Sequence, residues 1–89
     1  MTLSKDLLID KMADNLPVLR ACLGLSQAEL AERVGLSRYT VGLIESHKRK
    51  MTWKTFCSLY KVFSSNEKAS KCIPFLFGFS DTEIEAFIK

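Results

Sequence analysis

The apolar positions of the chain fall at helical spacing in one short stretch after another, separated by glycine, serine and asparagine. At the centre, Leu30, Ala31 and Val34 form a stripe that the Ser26-x-x-Glu29 capping box opens and Gly35 interrupts. A glycine takes the left-handed conformation of a sharp interhelical turn at little steric cost. Ser37 caps a second helix that runs to about Ser46. At about 100° per residue, Val41 and Ile44 face the core, with Ser37 and Glu45 at the margins of that face. Tyr39, Leu43 and Ser46 point the opposite way, with Gly42 beside them and Arg38 at the first turn. Beyond a basic loop, Thr52 caps a helix whose stripe is Trp53, Phe56, Cys57, Tyr60 and Phe63.

The flanks follow the same rule. Ser4 caps an extension helix over 4–13, with Leu7, Leu8, Lys11 and Met12 on one side. The pattern breaks at Asp14, Asn15 and Pro17, and Pro17 suits the first turn of a further helix that Gly24 ends after Leu23. A helix over 66–77 carries Ala69, Cys72, Ile73 and Leu76, with Gly78 as its stop. Pro74 counts against it, and the alternating Ile73, Phe75, Phe77 and Phe79 read equally as a short strand, although no partner strand is visible. Ser80-x-x-Glu83 opens a last helix over 80–88. The expectation is an all-α compact bundle of five to seven short helices, one domain over residues 1–89 with the motif at 26–46.

A hydrophobic fraction of 47% is ample for a packed core, but at 89 residues that core gives only modest stability, which favours self-association. A formal net charge of +3 says little. Its placement says more: between Arg38 and Lys61 the charges are Arg38, Lys48, Arg49, Lys50, Lys54 and Lys61 against Glu45 alone. The acids gather at Asp6, Asp10 and Asp14 and at Asp81, Glu83 and Glu85. Cys22, Cys57 and Cys72 are widely spaced and odd in number, fitting neither a disulfide framework nor a zinc site; they read as small core residues in a reducing compartment. No apolar run approaches the ~20 residues of a membrane span, and the expected location is cytoplasmic. His47 has no second metal ligand at usable spacing, and no nucleophile–base pair or paired carboxylates appear, so neither catalysis nor a cofactor is expected.

The run from Leu25 to Arg38, LSQAELAERVGLSR, followed by Val41 and Ile44-Glu45, resembles the lambda-repressor/Cro-like helix-turn-helix family of bacterial and phage regulators; the similarity extends from about Leu16 to Leu59. The resemblance implies a bundle that inserts its second motif helix into the major groove of double-stranded DNA. It implies that Arg38, Tyr39, Thr40, Gly42 and Leu43 occupy the positions that contact bases. Gln27 and Ser37, together with the loop residues Lys48, Arg49 and Lys50, fall where phosphates are held. Arg20 and Glu45 match an ion pair that ties the first bundle helix to the recognition helix. The chain departs from the family at Ser46-His47, where Asn-Gly is frequent, at Met51, where proline is common, and at Leu43, where a thymine methyl replaces hydrogen-bonded readout.

The implied function is a transcriptional regulator, a repressor binding a palindromic operator as a homodimer, with half-sites about one turn, ~34 Å, apart. The apolar segment holding Phe75, Leu76, Phe77, Phe79 and Phe87 is either its dimerisation element or ordinary closure of the core. The alternative is an antitoxin that uses the same surface to bind a toxin and also binds DNA.

Overall fold

The computed structural model describes residues 2–89; Met1, the first residue of the expected domain, lies outside them. The described residues form six helices and no strand: α1 (Lys5–Leu23), α2 (Gln27–Val34), α3 (Arg38–Glu45), α4 (Trp53–Ser64), α5 (Glu67–Phe77) and α6 (Asp81–Ile88). This is an all-α bundle of 31 × 26 × 20 Å. Each helix starts where a side chain can take an unpaired N–H: Ser4, Ser26, Ser37, Thr52, Asn66 and Ser80 all cap from extended backbone. At Ser26 and Ser80 the capping box closes in both directions. The Ser26 backbone N–H, then its hydroxyl, holds the Glu29 carboxyl below the usual carboxylate range.

Two expectations are corrected. The helix over 4–13 and the helix beginning near Pro17 are one continuous helix, α1, with Pro17 inside it. Proline removes one backbone hydrogen bond, but the buried stripe Leu8, Ile9, Met12, Ala13, Leu16 and Leu19 runs straight through, and burial of that stripe outweighs the loss. Pro17 is exposed, so its ring takes no room in the core. Asn15, expected to break the helix, uses its Nδ2 to donate to the Lys11 carbonyl at 2.8 Å and to the Leu76 carbonyl at 3.4 Å. The strand alternative at 73–79 is likewise excluded: α5 continues through Pro74 to Phe77 and ends on left-handed Gly78. Ala69, Ile73 and Phe77 bury one helical face, which alternation would have split between two faces.

α1 packs on α3, α4 and α5, while α2 packs on α3 and α4, so the motif is mounted on the long first helix. At the centre lies an aromatic series along α4, in which Trp53 stacks on Phe56 at 4.8 Å and Phe56 neighbours Tyr60 at 5.9 Å. Phe77 meets Phe56 edge-on, and Phe87 meets Trp53. Trp53 is thus part of the packing, half-buried, with the Lys5 ammonium 5.4 Å from its ring centre. Tyr60 is 2% exposed and its hydroxyl donates to Asp81 in the first turn of α6.

Burial first, then the bond to Asp81 and that residue's negative charge, push the Tyr60 phenol up from its ordinary range. An unfolded tyrosine ionises near pH ~10, whereas folded Tyr60 keeps its proton above that. Its contribution is therefore whole below about pH 10 and is lost as pH rises, at up to about 1.4 kcal/mol per pH unit. Urea unfolding of the native chain and Tyr60→Phe should show their stability difference shrinking across that range, and unchanged below it.

Candidate nucleic-acid interface

The two motif helices owe their mutual position to a short turn and a polar lock. Gly35 sits at φ 72°, a left-handed conformation that other side chains rarely adopt, and Leu36 N–H closes the turn on the Ala31 carbonyl at 2.9 Å. The lock is Glu45. Its Oε2 accepts from Arg20 Nε at 2.9 Å, and its Oε1 accepts from Arg20 Nη2 at 3.2 Å and from Gln27 Nε2 at 2.9 Å. Arg20 also donates through Nη1 to the Leu25 carbonyl at 3.0 Å, between α1 and α2. One carboxylate, its side chain only 9% exposed, thus joins α1, α2 and α3.

With Val41 and Ile44 buried at its back, α3 turns its other face outward. Tyr39 is 75% exposed, Arg38 and Ser46 are exposed, and Gly42 and Leu43 are half-buried beside them. Thr40 lies toward the margin, its hydroxyl 2.9 Å from the Ser37 hydroxyl. A Cβ placed on Gly42 would meet only the Gln27 side-chain amide, at 3.8 and 4.0 Å, so packing within the chain does not demand a glycine there.

The loop after α3 is held tightly. His47 occupies the left-handed conformation at φ 61°, which a side-chain-bearing residue adopts at a steric cost. The Leu43 carbonyl accepts the N–H groups of Lys48 at 2.9 Å and Arg49 at 3.2 Å, ending α3 as a glycine would. His47 Nε2 lies 3.2 Å from Asp14, and Lys50 Nζ donates to Asp6 at 3.0 Å. The hydrogen bond to Asp6, reinforced by its charge and by that of Asp10, pushes the Lys50 ammonium up. Between α1 and this loop lies a cleft of about 240 Å³ lined by Ile9, Asp10, Ala13, His47, Arg49, Lys50 and Met51. Lys48 and Arg49 are exposed and make no ion pair among the described residues.

Arg20 and Glu45 are therefore paired as anticipated, and Arg38, Tyr39, Gly42 and Leu43 share one face of α3. The expected phosphate contacts divide into two groups. Lys48 and Arg49 are free, whereas Gln27 is engaged by Glu45, Ser37 by Thr40 and Lys50 by Asp6. Sequence reasoning missed Asp6 and Asp14 as partners of the basic loop; their four-residue spacing with Asp10 was the available signal, since it sets three acids on one side of a helix. No cluster of three or more His, Cys, Asp or Glu residues suited to a metal lies among the described residues, and no described helix is long and apolar enough to cross a membrane. Comparison of the chain with family models, curated proteins and solved structures finds no match.

Removing the Glu45 carboxylate strands three N–H donors, two on Arg20 and one on Gln27. Glu45→Ala should lower unfolding stability by about 2–3 kcal/mol, because Arg20 is left half-buried without its counter-charge. Arg20→Met combined with Glu45→Ala should cost less than the sum of the two single changes, measured by urea denaturation.

Proposed function

We propose that the protein is a sequence-specific DNA-binding transcriptional regulator of the lambda-repressor/Cro-like helix-turn-helix kind, a repressor that sets α3 in the major groove of a palindromic operator as a homodimer. One observation carries the reading. α3 is held from behind by Glu45, Val41 and Ile44, while its outward face offers Arg38, Tyr39 and Leu43 beside the two unpaired cations Lys48 and Arg49. A merely solvated helix face has no use for a three-quarters exposed tyrosine next to a glycine and a leucine.

In this reading Arg38 forks onto guanine, Tyr39 packs on sugar or bonds a phosphate, and Leu43 meets a thymine methyl where Gly42 permits close approach. Thr40 serves at the edge of that face. Lys48 and Arg49 supply the primary phosphate contacts, while Gln27, Ser37 and Lys50 exchange present partners for phosphate. Selection of bound sequences from random DNA at near-physiological salt tests the reading: a palindromic consensus supports it, and the absence of enrichment ends it. Lys48→Gln with Arg49→Gln should weaken binding to all sequences alike and reduce the slope of log affinity against log salt by about 2 per protomer.

A second reading, an antitoxin that binds both a toxin and DNA, draws on Phe75. Leu76, Phe77, Phe79 and Phe87 pack into or against the bundle's own core, but Phe75 is 89% exposed on α5. On the first reading this aromatic is a contact of the homodimer, and on the second a contact with a foreign partner. Sedimentation separates the two: self-association that Phe75→Ser abolishes supports the homodimer. A chain that stays monomeric and copurifies with a second small protein supports the antitoxin.

A further inference from the structure

The loop that carries Lys48 and Arg49 has no acid of its own, and the carboxylates that meet it come from α1. Asp6, Asp10 and Asp14 follow one another at four-residue spacing, so they lie on one side of the helix and span about 12 Å along its axis. Each end of that row meets one end of the loop. Asp6 accepts from Lys50 Nζ at 3.0 Å, and Asp14 lies 3.2 Å from His47 Nε2. Asp10, between them, lines the cleft that separates α1 from the loop, a cleft that Arg49 lines as well. The hydrogen bond and charge of Asp6, and then the charge of Asp10, raise the Lys50 ammonium.

We propose that the α1 acids are a built-in competitor for DNA phosphate, with Asp6 holding Lys50 in an autoinhibitory contact that duplex binding must break. The inference rests on the reading of α3 and the basic loop as a nucleic-acid interface, but not on sequence specificity. The Asp6 and Lys50 side chains are 81% and 58% exposed, and an ion pair so open to water adds little to folding stability. Its effect falls on the partner instead. A phosphate that takes Lys50 gains one cation but leaves the Asp6 carboxylate bare beside the DNA backbone, where like charges repel. The exchange therefore returns less than a contact with Lys48 or Arg49, which have no ion pair to lose among the described residues. Backbone contacts carry no sequence information, so the discount applies to every duplex alike. The quantity that α1 holds down is the sequence-independent part of the affinity.

The test measures affinity for one duplex of arbitrary sequence, over a range of salt, for the native chain, Asp6→Asn, Lys50→Gln and the double variant. Asp6→Asn should bind about 2- to 5-fold tighter, and its slope of log affinity against log salt should steepen by about 1. In the Lys50→Gln background the same change should keep less than half of that gain in log affinity, because the cation it releases is gone. Glu67→Gln supplies the control: it opens a similarly exposed pair with Lys71 on α5 and changes the net charge equally, yet it should gain much less.

No gain for Asp6→Asn, half or more of the gain surviving without Lys50, or a matching gain for Glu67→Gln would overturn the proposal. Selection from random DNA separates this inference from the regulator reading. A consensus sequence with no Asp6→Asn gain ends the competitor alone, and a gain with no consensus ends the sequence-specific reading alone. No duplex binding by any of the chains ends both.

Discussion

The whole arrangement turns on Glu45. A carboxylate this far from water must have its charge matched, and here the match comes from two different helices, through the fork of Arg20 and the amide of Gln27. Hydrogen bonds of this kind are directional, so they add orientation to what the apolar contacts of Val41 and Ile44 supply as adhesion. Arg20 extends the lock to the Leu25 carbonyl, which ties the α1–α2 turn to the end of α3. Gln27 is already engaged by the lock, so on the proposed reading a phosphate at the start of α2 competes with Glu45 for it.

The loop beyond α3 follows a similar principle with a different balance. His47 accepts a left-handed backbone that costs a side-chain-bearing residue about 1–2 kcal/mol, and its Nε2 lies 3.2 Å from Asp14. The geometry gained is the double donation of Lys48 and Arg49 N–H groups to the Leu43 carbonyl, which fixes where those two side chains emerge. Asp6 pairs with Lys50 and Asp14 approaches His47, so within this loop the unpaired positive charge lies on Lys48 and Arg49, with Arg38 unpaired at the start of α3. On the proposed reading, α1 therefore shapes the electrostatic surface of the interface as well as supporting it.

The apolar C-terminal segment had two roles open to it, and packing divides them by residue. Phe77 is buried, Leu76, Phe79 and Phe87 lean on the core, and the Tyr60 bond to Asp81 draws α6 onto α4. Closure of a small core consumes most of this surface. Phe75 alone is left, because it lies on the side of α5 opposite Ala69, Ile73 and Phe77.

What the chain determined locally is extensive: the capping residues, the glycine stops, the period of the apolar stripes and the two faces of α3 are all readable, because each depends on neighbours within about four residues. The Arg20–Glu45 pair was reachable through resemblance alone, since no local rule joins residues so far apart. Pro17 and Pro74 show the opposite limit. Both are local breakers, and both lie inside helices because a buried stripe continuing on either side outweighs one missing hydrogen bond. The acid–base contacts of α1 with the basic loop belong to tertiary structure entirely. They depend on how elements distant in sequence lie against one another, and that is set by the shape of the common core.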